Sequence, residues 1–265
     1  MDKRKTLWYA GLSILCFFLF LAILAPFISP YDPYEMGEAF LKPSLSHWLG
    51  TNDIGEDIAS ELIYGSRVSL LIGTVSASII VSIGTSLGMI SGYYGGKIDS
   101  FIMGICNIVI VIPVLPLILL LIAFLDAGLG NSILVICITS WAPFARIVRS
   151  QVLKIRELPY IQMEQVLGLS DFKILLYHVL PNIKELVLMK GCLAVITAMM
   201  TEAGLSFLGI GVVEQKSWGS MLHYAFFRDG VLNNFWWWYM PPVLCIFLCG
   251  MGFMLLCDFY KAAPE

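Results

Sequence analysis

Apolar residues run through the chain in six long blocks that are almost free of charge. The blocks cover residues 7–28, 68–91, 101–125, 131–145, 186–210 and 236–257. Most of them reach the roughly 20 residues that an α-helix needs to cross a bilayer. The block at 131–145 is shorter, but Arg146 and Arg149 follow it and can extend their charged ends to an interface. The pattern predicts an all-α integral membrane protein with six transmembrane helices.

The first block raises the question of a signal peptide, because three basic residues at positions 3–5 precede it. Its apolar core is too long for a signal peptide, and the Ala-Pro-Phe sequence at residues 25–27 is a poor cleavage site. We therefore interpret residues 1–67 as an N-terminal anchor helix followed by the first extracellular loop. Residues 68–258 are predicted to form the main transmembrane domain. Two proline residues, Pro113 and Pro116, are expected to kink the third span.

The composition agrees with a membrane protein, and the charges predict its orientation. Of the 265 residues, 58% are hydrophobic and 13% charged, whereas a soluble domain averages about 25% charged. With an internal N-terminus, six spans place twelve basic residues on one side: Lys3, Arg4, Lys5, Lys97, Arg146, Arg149, Lys154, Arg156, Lys173, Lys184, Lys190 and Lys261. The other side has four: Lys42, Arg67, Lys216 and Arg228. By the positive-inside rule, both termini are expected in the cytoplasm of a multi-pass cell-membrane protein.

The cytoplasmic stretch at about 146–185 is too long for a simple turn. Pro159 can open a helix, and Gly168 can stop it. Ser170 can cap a second helix with Asp171 in its first turn, and Pro181 is expected to end that helix. Four residues at helical spacing give the second helix one apolar face: Phe172, Leu175, Leu176 and Val179. The result is a compact cytoplasmic knob, whose apolar face must be covered by the chain's own membrane domain or by a partner protein.

Several short stretches resemble motifs of one protein family. They are Leu49–Asp57, Tyr64–Leu70, Gly168 with Ser170–Asp171, His178–Asn182, Glu202–Gly209 and Ser217–Gly219. Their order and spacing are similar to those of binding-protein-dependent ABC importer permeases, in the branch that imports peptides, nickel and opines. The chain looks like the second type of permease subunit of that branch. The resemblance implies a type I ABC importer transmembrane fold.

The chain departs from the family pattern at two places. Six residues before its glycine, the family usually has Glu-Ala-Ala, where this chain has Gln162-Met163-Glu164. Glu164 does not simply replace the family glutamate, because two residues along a helix correspond to a rotation of about 200°. Glu56 stands where the family usually has an arginine. The first departure falls on the implied ATPase contact, and the second falls on the charge of the outer loop.

The resemblance implies a set of partners and a division of labour. A second permease subunit, two ABC ATPase subunits and an extracellular substrate-binding protein would complete the machine, surrounded by membrane lipid and without nucleic acid. Contact with the ATPases falls on the knob: Gln162, Glu164, Gly168, Asp171, His178, Pro181 and Asn182. The stretch at 91–98 lacks the first glycine and the final Ser/Thr of a Walker motif. ATP and Mg²⁺ are therefore expected on the ATPase subunits, and this chain is expected to be no enzyme, with no catalytic, cofactor or metal residues.

Glu202 is the carboxylate that lies clearly within a span, which makes it a candidate for the translocation path or its gate, together with Ser206. It could also be a structural partner of nearby polar groups, and we favour structure or gating over substrate choice. His178 is expected to be structural rather than a proton switch. His47 and His223 both face outward, where they could meet a metal or a metal chelate.

Two questions stay open from the sequence. The substrate is a peptide, nickel or a metal chelate, because importers of all three share these motifs. The competing hypotheses are a secondary transporter or channel working without ATPase partners, and a membrane-embedded enzyme using Glu202, Cys192 or His178.

Overall fold

The computed structural model describes residues 3–125, 128–211 and 215–259, and this part of the chain is helical with no strand. The helices are α1 (Lys3–Ile28), α2 (Ile58–Tyr94), α3 (Gly96–Val111), α4 (Val114–Phe124), α5 (Leu129–Arg156), α6 (Pro159–Val166), α7 (Asp171–Ile174), α8 (Leu180–Phe207), α9 (Trp218–Phe227) and α10 (Trp236–Phe259). A π-helical turn, Leu175–Val179, joins α7 to α8. The all-α prediction is confirmed.

Five helical segments in the described ranges are long and apolar enough to cross a membrane, and α3 with α4 forms a sixth if the bent pair is one span. Helices α2 and α5 run parallel, since Gly84 lies against Phe144 and Gly92 against Val152. The chain between two parallel neighbours must return across the bundle, so α3 and α4 together make that return crossing.

The α3–α4 crossing is bent by 92°. The break lies at Ile112 and Pro113, where Ile112 has the extended backbone that proline imposes on its predecessor. The kink predicted at Pro113 is therefore confirmed. Pro116 does not kink the helix, because it lies in the first turn of α4, where its missing N–H would have no partner in any case.

Helix α2 begins ten residues before the predicted second span. Asp57 caps it by accepting hydrogen bonds from the backbone N–H of Ser60, at 2.9 Å, and from its hydroxyl, at 2.7 Å. Helix α2 therefore joins the end of the predicted outer loop to the predicted span from residue 68 in one helix of 37 residues. The predicted boundary between residues 67 and 68 falls inside it, since no residue there interrupts helical geometry.

The second knob helix does not end at Pro181, contrary to the prediction. From Asp171 to Phe207 the chain is one continuous helix, whose π-helical turn precedes the proline. The side-chain amide of Asn182 donates to the carbonyl of His178 at 2.5 Å, which satisfies a backbone acceptor in the widened turn. Only residues 157–170 leave the long helices, so the coupling loop is shorter than the predicted 146–185.

The bundle has two distinct ends. The end with α6, α7 and the π-helical turn is called the knob face, and residues 157–179 are called the knob. The opposite end, called the loop face, carries the segment at 29–57 and the described parts of the connections around α9. Helix α2 lies at the centre, packed against α5 and α8, while α1 packs against α10.

Candidate coupling and gating sites

The inner side of the knob packs into the largest apolar core of the bundle. Ile161, Ile174, Leu175 and Val179 are buried there beside Val152 of α5. The apolar face predicted for the second knob helix is therefore divided between two environments. Leu175 and Val179 lie with Ile174 on the buried side of the continuous helix.

The outer side of the knob carries a separate group of exposed apolar side chains, which we call the knob surface. Its members are Met163, Val166, Leu167 and Phe172, with 64%, 87%, 71% and 70% of their surface exposed. Phe172 was predicted to share a face with Leu175 but lies on this outer side. The membrane domain of the chain thus covers the inner apolar residues of the knob and leaves the knob surface uncovered.

Most of the predicted coupling residues hold the knob in shape. Glu164 Oε1 lies 3.0 Å from His178 Nδ1, which connects α6 to the π-helical turn. Asn182 donates to the Tyr160 hydroxyl at 3.1 Å, which connects α8 to α6. Gly168 has a φ of 78°, a left-handed conformation that glycine adopts at little cost.

The remaining three predicted coupling residues differ in their surroundings. Asp171 accepts a hydrogen bond from the Tyr93 hydroxyl at 2.9 Å. Pro181 lies within the continuous helix. Gln162 is exposed and makes one long contact, 3.4 Å from its amide nitrogen to the carbonyl oxygen of Glu157.

The predicted gating pair, Glu202 and Ser206, is buried where α8 meets α2 and α9. Glu202 is 1% exposed and accepts hydrogen bonds from the hydroxyls of Ser69, at 3.2 Å, and Ser206, at 2.8 Å. Ser69 Oγ in turn accepts the backbone N–H of Trp218 at 3.2 Å. The Trp218 indole donates to the carbonyl of Leu62 at 3.1 Å. We call this group of residues the Glu202 junction; it ties α2, α8 and α9 together at the loop face.

A second polar cluster lies at the loop face, around a cavity of about 360 Å³. Lys216 Nζ is 2.5 Å from Glu56 Oε2 and 2.8 Å from Glu61 Oε1. Asn52 donates to the same two carboxylates, at 2.7 and 3.1 Å. Glu56 replaces the arginine usual in the family, and Lys216 supplies the opposite charge beside it.

Lys216 is held in its charged form by this cluster. Burial acts to lower the pKa of Lys216, but the charges of Glu61 and Glu56 and their hydrogen bonds outweigh burial and raise the pKa above its usual value. The ion pairs join the segment at 29–57 and the start of α2 to Lys216, two residues before the start of α9. The outer loop is thereby fastened to the bundle.

The two outward histidines have protein partners. His47 Nδ1 lies 2.9 Å from Asp57 Oδ1, and the ring stacks on Tyr31. His223 Nδ1 lies 2.7 Å from the carbonyl oxygen of Phe207. Each ring is therefore engaged in positioning its own loop or helix.

Two features of α2 were missed by sequence reasoning. Thr74, Ser78, Ser82 and Ser86 form a ladder on an exposed side, each hydroxyl bonded to the carbonyl four residues earlier. On another side, Gly84, Gly88 and Gly92 allow α5 to approach closely. The spacing of four residues was the available signal in both cases.

Comparison with known proteins identifies the family. The model of the "Binding-protein-dependent transport system inner membrane component" family matches residues 84–263. The chain belongs to this family. A second model, "N-terminal TM domain of oligopeptide transport permease C", matches residues 3–43 of the permease. Family membership gives the permease ATPase subunits and a substrate-binding protein as partners, so ATP is hydrolysed on other chains.

Curated relatives cover almost the whole permease. The dipeptide transport system permease protein DppC of Bacillus subtilis is 36% identical over 97% of the chain and 80% of the relative. The oligopeptide transport system permease protein OppC of the same organism is 37% identical over 94% and 83%. The glutathione transport system permease protein GsiD of Pectobacterium atrosepticum is 34% identical over 97% and 85%. These relatives give no support to a secondary transporter.

A solved structure shows the same fold. The MetNI methionine ABC transporter, in an inward-facing conformation, aligns with a TM-score of 0.59 at 18% identity, over 76% of the permease and 97% of the compared chain. The type I importer fold expected from the sequence is thereby confirmed.

Proposed function

We propose that the permease carries peptides into the cell as one half of a heterodimeric membrane channel driven by two ATPase subunits. The relatives named for dipeptide, oligopeptide and glutathione transport support a peptide substrate. Nickel and metal-chelate import, also expected from the motifs, has no such support among these relatives. In this proposal ATP and Mg²⁺ are bound by the ATPase chains.

The observation that carries the proposal is the uncovered knob surface. Met163, Val166 and Leu167 lie between the long helices, and Phe172 lies in the first turn of the helix that follows, so all four are at the knob-face end of the bundle. A cluster of large apolar side chains exposed on a protein surface is typical of a site that binds another protein. An ATPase subunit seated on Met163, Val166 and Phe172 would bury them and receive its movements through the knob.

The orientation follows from where the knob must work. ATP is a cytoplasmic substrate, so the knob face lies in the cytoplasm and the loop face outside. The charges support this orientation, because the order of the predicted spans assigns twelve basic residues to the cytoplasmic side and four to the outer side. The binding protein would then deliver its peptide at the loop face, where the cavity bordered by Lys216 lies.

In this proposal the second permease packs against spans that the described residues leave uncovered. Phe101, Ile108 and Val111 of α3 are exposed, and so is the hydroxyl ladder of α2. A heterodimeric partner of related fold would cover part of this surface and enclose the path.

The test of ATPase docking is co-purification of the permease with co-expressed neighbours encoded beside it. We expect Val166→Asp combined with Phe172→Asp to reduce ATPase recovery at least tenfold. A charge placed in an apolar contact weakens binding more than shortening an apolar side chain does. Leu45→Asp, at an equally exposed apolar site on the loop face, is the control and should retain the ATPases. Full recovery with the double variant would contradict docking at the knob surface.

The substrate is tested separately in proteoliposomes that contain the complete assembly and its binding protein. ATP-dependent uptake of the radiolabelled dipeptide Ala-Ala, or of glutathione, is expected, with no uptake of ⁶³Ni²⁺. Uptake of ⁶³Ni²⁺ without peptide uptake would replace the peptide proposal by nickel transport.

A further inference from the structure

Tyr93 lies at the corner between α2 and α3, where only Gly95 separates the end of one helix at Tyr94 from the start of the next at Gly96. The Tyr93 side chain is turned inward, with 4% of the residue exposed, and packs in the core that also buries Ile161 and Ile174 of the knob. The residue therefore lies between the knob and the return crossing.

The Tyr93 hydroxyl binds both helices of the knob. It donates to Asp171 Oδ1 at 2.9 Å, at the start of α7, and accepts from Gln165 Nε2 at 3.1 Å, near the end of α6. The backbone carbonyl of Tyr93 accepts from Arg156, the last residue of α5, at 2.8 Å. Tyr93 thus forms hydrogen bonds with α6, with α7 and with the end of α5.

The corner is fastened to the first turn of α3 by charged hydrogen bonds. Asp99 accepts from the Ser91 hydroxyl at 2.5 Å and from two nitrogens of Arg149, each at 2.5 Å. Such bidentate bonds hold geometry tightly. From Asp99 the helix α3 leads directly to the 92° bend of the crossing.

The covalent chain carries knob movements to α5 and α8 but not to α3. Helix α5 leads into the knob and α8 leaves it, whereas α2 and α3 are connected to it through space. Within the described ranges, the side-chain hydrogen bonds from α2 to the knob are those of the Tyr93 hydroxyl. A movement of α6 and α7 would therefore reach α3 by two routes: through this hydroxyl to the corner and Ser91, and through α5, whose Arg149 binds Asp99. The first of these routes depends on the Tyr93 hydroxyl.

We infer that Tyr93 is a positioning residue that couples the knob to the bent α3–α4 crossing, so that ATPase movement is transmitted to the path. This inference rests on the proposed docking of ATPases at the knob. It concerns a different step, because Tyr93 is buried and makes no contact on the knob surface.

The test is Tyr93→Phe, which keeps the ring in its core and removes the hydroxyl. Asp171 and Gln165 are both exposed enough to bind water in its place, so we expect assembly and ATP hydrolysis close to wild type. Ala-Ala transported per ATP should fall about three- to tenfold, the range expected for loss of one element of coupling. Tyr94→Phe is the matched control, since the Tyr94 side chain is half-exposed beside it.

Hydrogen–deuterium exchange provides a second readout that needs no substrate. In the wild-type assembly, trapping with ATP and vanadate should change exchange in both the knob and residues 96–111. In Tyr93→Phe the knob should still respond, while the response of residues 96–111 should be smaller than in wild type, because the route through the corner is lost. Equal responses of α3 in wild type and variant, with equal transport per ATP, would overturn the inference and leave ATPase docking intact.

A double-mutant cycle separates coupling from simple loss of stability. If Tyr93 acts through Asp171, then Tyr93→Phe combined with Asp171→Ala should transport no less per ATP than the worse single variant. Additive losses would show that the two residues act independently and would also refute the inference. If wild type itself fails to bind ATPases, the fault lies with the proposed function.

Discussion

Replacing Lys216 by methionine tests the charge cluster at the loop face. Methionine has a similar length, so the change removes the ammonium group and keeps most of the volume. The glutamates left behind, Glu56 and Glu61, have 5% and 2% of their side chains exposed. Neither could regain full hydration, so a carboxylate that stays ionised would be buried without its counter-charge.

The magnitude follows from the distances. At 2.8 Å and an effective dielectric constant of about 20, one pair of charges attracts by about 6 kcal/mol. Desolvation of the three groups offsets much of this attraction. Removing one partner of a buried ion pair therefore costs about 3–5 kcal/mol of unfolding free energy. For a chain of this size we expect the melting temperature to fall by about 6–20 °C.

The measurement is thermal unfolding of the purified permease assembly in detergent, followed by intrinsic fluorescence. Lys42→Met, an exposed lysine on the same face, is the control and should change stability by less than about 0.5 kcal/mol. Glu56→Gln with Glu61→Gln should restore most of the loss in Lys216→Met, because no buried charge remains. A loss no larger than that of the Lys42 variant would refute the role of the ion pairs.

Two further substitutions test the packing of the bundle by the same thermal assay. An added Cβ at Gly88 would lie 2.6 Å from the carbonyl oxygen of Ala145, so Gly88→Ala should cost about 1–3 kcal/mol. Gly104→Ala, which faces open space, should be neutral or slightly stabilising, and equal effects at both sites would contradict the close α2–α5 packing. Glu202→Leu should cost about 1–3 kcal/mol, because the hydroxyls of Ser69 and Ser206 lose their acceptor. Glu202→Gln keeps an acceptor oxygen and should be milder; the reverse order would show that the charge, rather than hydrogen bonding, matters there.

The number and order of the spans could be predicted because their signal is local. A run of about 20 apolar residues has few alternatives to a helix in a bilayer. The exact ends of the helices could not be predicted, because they depend on contacts between residues that are distant in the sequence. The cap that starts α2 is the Asp57–Ser60 hydrogen bond, which forms within a fold that already orders the outer loop. Likewise, Pro181 predicts the end of a helix from the sequence alone. In the structure the π-helical turn before it allows the helix to continue.

The candidate sites divide in the same way. The motif containing Glu202 was visible in the sequence. However, Glu202 binds Ser69, which is 133 residues away, and Ser69 binds Trp218, from which it is separated by 149 residues. The pairing of Glu56 with Lys216, across 160 residues, likewise depends on the tertiary fold. The departure at Glu56 could be read from the sequence, whereas its compensation could not.

The altered triplet at Gln162-Met163-Glu164 gains a physical meaning from these contacts. Glu164 contacts His178 within the knob, while Met163 is exposed on the knob surface. The side chains that an approaching partner meets are consequently apolar. Because a buried charge would be costly against them, we expect the ATPase surface that receives this knob to present an apolar groove, with polar groups at its rim. Most of the predicted coupling residues thus hold the knob in shape, whereas the side chains of the knob surface are the ones that would contact the ATPase.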